Sequence, residues 1–141
     1  MPDACVALQK INLGALVGAS LTYELARNVK KDGVTMTMCR ALDDDRSQRV
    51  GLLLREQGGK AQDSEKQRVG MIESLGAAMG GTGTFEKIDL GEAALWNPAV
   101  KQLTVWFRGG RVMMILDSGL RTADLDLLKR VGKAIVYTFA K

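Results

Sequence analysis

Leu21-Thr-Tyr-Glu-Leu-Ala-Arg-Asn-Val29, Lys30-Lys31-Asp32-Gly33 and Val34-Thr-Met-Thr-Met-Cys39 are the three consecutive pieces that decide how this chain folds. In the first, Leu21, Tyr23 and Leu25 alternate with Thr22, Glu24 and Ala26, the period-two pattern of a half-buried strand. The second ends in Asp-Gly, the dipeptide that accepts the positive φ angles of a tight hairpin turn. In the third, Val34, Met36 and Met38 resume the alternation. Together they predict a β-hairpin.

The same grammar recurs downstream. Asp43-Asp44-Asp45-Arg46-Ser47 reads as a polar turn, followed by a third strand at Arg49–Arg55. Phe85–Leu90 and Ala93–Trp96 are short strand candidates around Gly91. Lys101–Phe107 and Arg111–Asp117 flank Arg108-Gly109-Gly110 as a second hairpin.

Helical periodicity fills the intervals. Residues 5–13 place Val6, Leu8, Ile11 and Leu13 on a two-turn helix that Gly14 stops. Asp63-Ser64 opens a central helix, with Ser64 and Gln67 at capping-box spacing and Val69, Ile72, Leu75 and Met79 as its apolar face. Gly80-Gly81 stops it. Gly70 and Gly76 cost stability inside a helix, and close approach to a sheet is their expected compensation. Thr122 is the expected cap of a final helix that buries Leu125, Leu128, Val131, Ile135 and Phe139. The expected fold class is α+β: an antiparallel sheet built from hairpins, with N-terminal, central and C-terminal helices packed on it, in a single domain over residues 1–141.

The chain has two cysteines, Cys5 and Cys39. A bond between them closes a loop of about 35 residues, ties the first helix to the sheet and stabilises by roughly 3–4 kcal/mol in the chain-entropy model. Such a bond places the protein in an oxidising compartment. A cytosolic protein with two free thiols is the alternative. At 141 residues the chain buries about two-thirds of its unfolded surface, so the bond is a staple and not the main support. No apolar run approaches the ~20 residues of a membrane span. The sequence opens without a basic n-region and apolar h-region, and Met1 is read as the first residue of a mature exported domain, with any lipid anchor lying outside this sequence.

A net charge of +4 and a pI near 9.2 raise the question of an anionic partner. The basic residues, however, are spread from Lys30-Lys31 to Lys133 without interleaved aromatics, which argues against nucleic acid. Histidine is absent. That removes His-based acid–base relays and most transition-metal sites. Asp43–Asp45 reads as a solvated turn and not as a cation loop. Gly80-Gly81-Thr82-Gly83-Thr84 lacks the preceding strand and following helix of a phosphate cradle and reads as a helix C-cap and loop. No catalytic residue, metal site or cofactor is expected.

Binding is the remaining chemistry. On strand 101–107, Leu103, Val105 and Phe107 account for one face and leave Trp106 on the other. In the neighbouring strand both faces are apolar, with Met113 on one and Met114 on the other. Either this part of the sheet is covered on both sides, or one side presents Trp106 and methionine to a ligand or partner. Trp96 reads as a core or rim anchor, with ligand stacking as the alternative.

Asp3-Ala-Cys5 leading through an apolar helix to Leu13-Gly14, a second cysteine after the first hairpin at Cys39, and Gly91-Glu-Ala-Ala-Leu-Trp96 ahead of a hairpin turned at Gly109-Gly110 form a string over nearly the whole chain. This string resembles a family of small secreted bacterial envelope and lipoprotein domains of unknown function. The resemblance implies a disulfide-linked, PsbP-like α+β sandwich and no enzymatic activity. The expected function is a non-enzymatic periplasmic or cell-surface module that binds a protein partner or small apolar ligand through Trp106, Met113, Met114 and Trp96. On that expectation Trp106→Ala weakens binding while the fold stays intact. The alternative is an inhibitor or immunity protein that blocks a secreted enzyme or toxin, with the Asp43–Asp45 turn or the 80–84 loop as its plug.

Overall fold

The structure, a computed structural model, describes residues 1–78, 85–119 and 124–140. β1 (Thr22–Lys31) and β2 (Val34–Leu42) form the expected hairpin, turned by Asp32 and Gly33 at φ 54° and 77°. Two positive φ values in a two-residue loop match the right-handed twist of the flanking strands. β3 (Gln48–Gln57) pairs with β2 and completes a first meander. β4 (Glu86–Ile88), β5 (Ala93–Asn97), β6 (Gln102–Phe107) and β7 (Val112–Asp117) make a second. β7 pairs antiparallel with β3, so the described strands form one seven-stranded sheet in the order β1-β2-β3-β7-β6-β5-β4.

The described residues form four helices where three are expected: α1 (Ala4–Lys10), α2 (Leu13–Val17), α3 (Ser64–Ala78) and α4 (Leu125–Phe139). The difference lies at the N-terminus. Gly14 does not stop the first helix. The break falls at Ile11-Asn12, where Asn12 adopts a left-handed φ of 55°, and the chain re-enters helix until Gly18 ends it at φ 70°. Asparagine tolerates that conformation better than most side chains. No helix among the described residues is long and apolar enough to cross a membrane.

α1, α2 and α4 cover one face of the sheet. Leu8 and Leu13, then Leu128, Val131 and Ile135, pack with Leu52, Val105, Phe107, Met114 and Leu116 in the main core. α4 carries the expected stripe, with Leu125 only partly buried and Leu127 added. Its cap is Asp124, whose carboxylate accepts from Leu127 N at 3.0 Å; Thr122 lies outside the described residues, as do Met79 and Gly80-Gly81.

α3 lies on the opposite face, over Ala93, Leu95 and Trp106 of β5 and β6. Three details of this helix correct the sequence reading. Asp63 is its cap, accepting from Lys66 N at 3.1 Å, so Ser64 and Gln67 form no capping box. Instead Ser64 Oγ donates to Glu92 at 2.7 Å and Gln67 Nε2 donates to the Gly110 carbonyl at 2.9 Å. Val69 is 41% exposed, and the contacts to the sheet come from Met71 and Ile72. Gly76 is buried, but a Cβ on Gly70 would meet open space, so close packing does not explain Gly70.

Glu92 completes the α3 attachment. Besides the Ser64 hydroxyl, its carboxylate accepts from Gly109 N at 2.8 Å and Gly110 N at 3.0 Å. The segment leading into α3 therefore crosses directly over the β6–β7 turn. A Cβ on Gly110 would lie 2.1 Å from the Gln62 carbonyl oxygen, at a φ of 72°, so glycine is required there.

β1 also departs from expectation. It is an edge strand, and its residues are mostly exposed: Leu25 is 46% and Val29 48% accessible. Tyr23 and Glu24 are half-buried, and Tyr23 is the apolar contact. It packs against the main core, and burial raises its phenol above the ordinary value of 10.0.

Candidate binding face

Which way the β2 side chains point is settled by the disulfide. Cys5 in α1 is bonded to Cys39 in β2, with the Cα atoms 5.0 Å apart. Two residues earlier on the same face, Thr37 Oγ1 accepts from Ala4 N at 3.0 Å. Odd-numbered residues at this end of β2 thus face α1. Because successive side chains alternate, Met36 and Met38 face away from it.

Cross-strand register carries those methionines into two rows. The first runs Val29, Met36, Arg55, Met113, Trp106 and Ala93. The second runs Arg27, Met38, Leu53, Ile115, Thr104 and Leu95. Directly paired residues share a face, so both rows lie on the side occupied by α3. α3 covers only the β5–β6 end. Over β2, β3 and β7 no helix lies among the described residues, and Met36, Met38, Leu53, Met113 and Ile115 are partly exposed.

Arginines border this apolar strip. Arg27 and Arg55 stand within the two rows, and Arg40 occupies the next row with Glu24, Gly51 and Asp117. Among the described residues Arg27, Arg40 and Arg55 form no ion pair. The two carboxylates of that row are engaged: Glu24 pairs with Arg46 at 2.8 Å, and Asp117 accepts from Gln48 Nε2 at 2.6 Å. The face ends in an open groove of about 1050 Å³ lined by Arg40, Arg49, Val100, Lys101 and Asp117, among others.

The residues expected from sequence to bind do not form one surface. Trp106 and Met113 share the α3 side; Met114 and Trp96 lie on the other side, in the main core. Trp106 is 1% exposed beneath α3, with Met71, Ile72 and Phe85 around it. Of the two arrangements the sequence allowed, coverage on both sides is the one found at Trp106, and Trp106→Ala becomes a test of the fold. Met114 is fully buried and Trp96 is 7% exposed. Only Met113, at the border of α3, reaches the open half of the sheet.

Sequence reasoning missed Met36, Met38, Leu53, Ile115 and the three arginines. A signal for the first two was present. Cys39 bonded to the first helix assigns the odd positions of its strand to the helix side, which leaves the methionines opposite.

Asp43 is consumed locally. Its carboxylate accepts from Asp45 N and Ser47 N, both at 3.0 Å, and lies 3.7 Å from Arg49. Among the described residues no three of His, Cys, Asp and Glu converge on a point that could hold a metal ion. The Gly80–Thr84 segment lies outside the described residues. Compared with known proteins, the chain matches no family model, no curated protein and no solved structure.

Proposed function

We propose that the protein is a non-enzymatic exported binding module of the periplasm or cell surface, which contacts a protein partner or small apolar ligand through the open half of its sheet. One observation carries the reading: Met36, Met38, Leu53, Met113 and Ile115 form a contiguous, partly exposed apolar strip with no described helix above it. Contiguous apolar side chains left without a covering element mark interaction sites. Methionine suits such a surface, because its unbranched, polarisable side chain repacks around differently shaped partners.

Export is supported by the Cys5–Cys39 bond, since structural disulfides persist in oxidising compartments. The non-enzymatic reading rests on a sequence without histidine, the commonest general acid–base group. Kinship with small envelope domains and a PsbP-like sandwich belong to the same proposal. An antiparallel sheet with helices on both faces supports them. So does the physical link between two of the motif segments, Glu92 clasping the Gly109-Gly110 turn.

A photo-crosslinking amino acid placed at Met38, and in a separate sample at Asp44, tests the reading in envelope extracts. A discrete adduct from position 38 and none from 44 is the expected result. An adduct from 44 alone overturns it in favour of an inhibitor that plugs its target with the Asp43–Asp45 turn. No adduct from either position also overturns it. Export is tested by alkylating protein in its native cells before mass measurement; two alkylated thiols contradict it.

A further inference from the structure

The open half of the sheet has the dimensions and charge of a seat for one acidic amphipathic helix, and the geometry points to such a helix, donated by a protein partner, as its occupant. The inference rests on the binding-module reading above and specifies its partner.

Width comes first. β1, β2, β3 and β7 at about 4.8 Å spacing present a strip on the order of 15 Å across. That is room for one helix, whose diameter with side chains is about 10–12 Å. α3 already occupies the other half of this face, so an incoming helix would lie beside α3 and complete the layer.

Charge comes second. An apolar stripe on the helix would meet Met36, Met38, Leu53 and Ile115. Carboxylates flanking that stripe would meet Arg27, Arg40 and Arg55, which have no ion-pair partner among the described residues. Arginine is the side chain best suited to such pairing, because its planar fork binds a carboxylate through two parallel hydrogen bonds.

The same features disfavour other occupants. A second copy of the chain placed face to face would bring further unpaired arginines to the strip while its Glu24 and Asp117 are already engaged, within a molecule at +4. A planar anionic membrane would be held off by α3, which stands about one helix diameter above the sheet. The exposed residues of that helix include the carboxylates of Glu65 and Glu73 beside Lys66 and Val69.

The probe is a synthetic peptide of about 18 residues, five helical turns, with leucine at i, i+3, i+4 and i+7 and glutamate on both flanks. A peptide with lysine in place of glutamate is the control. Peptide anisotropy and the methyl resonances of the methionines are read together. The expected result is saturable binding of the glutamate peptide, weakened by salt, with the Met36, Met38 and Met113 methyls shifted and Met114 unmoved. The triple variant Arg27→Glu, Arg40→Glu, Arg55→Glu is expected to bind that peptide roughly tenfold or more weakly and to gain affinity for the lysine peptide. Circular dichroism and thermal melting confirm that the variant folds; Arg55→Gln alone, with a smaller loss, serves if it does not. Equal binding of both peptides, no binding of the glutamate peptide, attachment to phosphatidylglycerol vesicles in its place, or dimerisation that Met38→Asp abolishes each overturns the acidic-helix inference. A crosslink from position 38 with no preference for the glutamate peptide leaves the binding module standing and removes only the helix.

Discussion

One carboxylate ties the start of α3 to the β6–β7 turn. Glu92 accepts from the Ser64 hydroxyl at the start of that helix and from the Gly109 and Gly110 amides in the β6–β7 turn. Hydrogen bonds to an ionised acceptor are stronger than neutral ones, and removing the acceptor leaves three donors to be rehydrated. Glu92→Ala is expected to destabilise by about 1–2 kcal/mol in urea unfolding, and Glu92→Gln by less, because the amide oxygen still accepts. Tyr23 makes a different residue-scale case. Burial raises its phenol above the ordinary value of 10.0, so between the two values the folded chain holds a proton that the unfolded chain has released. Its contribution is fully present below the unfolded value and is lost as pH rises through the folded one. Stability measured by denaturant titration should therefore fall above about pH 10 in the wild type, and Tyr23→Phe should reduce that loss. A slope unchanged by Tyr23→Phe would mean that the phenol does not carry it.

At the scale of elements, the two half-faces of the α3 side are expected to respond oppositely to substitution. Trp106 lies under α3, and Trp106→Ala should cost about 3–5 kcal/mol, the range for removing a large buried side chain. Met38→Lys, on the uncovered half, should stay within about 0.5 kcal/mol. Comparable losses in chemical denaturation would show that the open half is not open. α1 depends on its staple. Reducing the Cys5–Cys39 bond should cost roughly 2–4 kcal/mol, and hydrogen exchange should show α1 amides losing protection before those of β3 and β7. These contrasts mark what the sequence made legible. Hairpins were readable because alternation and turn residues are local: Asp32-Gly33 and Gly109-Gly110 supply the positive φ angles that their turns need. Three points were not readable: α2 behind an apparent glycine stop, the exposure of β1, and Met71 in place of Val69 on the packed side of α3. Each depends on which element lies against which face, and that is fixed by pairings distant in sequence. Ser64 and Gln67 illustrate the cost: their spacing fits a local cap, yet tertiary partners take both side chains.

The whole molecule is two meanders joined at one seam. β1–β2–β3 and β4–β5–β6–β7 are each sequential, and only the β3–β7 pairing connects them within the sheet. The seam is well filled: Leu52 pairs with Leu116 and Leu54 with Met114, all four in the main core. That core runs from Leu8 in α1 to Ile135 in α4, so a helix packed on β1–β3 and a helix packed on β6 and β7 share one continuous cluster. Gly132 shows how closely α4 sits: a Cβ there would come within 2.9 Å of Leu90 and 3.5 Å of Leu116. A shared core of this kind couples the meanders, and the chain is expected to unfold as one cooperative unit. The two tryptophans make this measurable. Trp96 and Trp106 both lie in the second meander, so their fluorescence reports that half alone. Tyr23 and the Cys5–Cys39 bond lie in the first half, where exchange of the β1 and β2 amides reports. The expected outcome is coincident transitions in urea by tryptophan fluorescence, far-ultraviolet circular dichroism and exchange in β2. If tryptophan fluorescence changes at lower urea than β2 loses protection, the seam is weaker than the meanders and the chain contains two folding units. Leu54→Ala should then separate the transitions further, because it thins the β3 side of the seam without touching the disulfide or either tryptophan. In a cooperative molecule the same substitution lowers all the midpoints together, by an amount equivalent to about 2–5 kcal/mol.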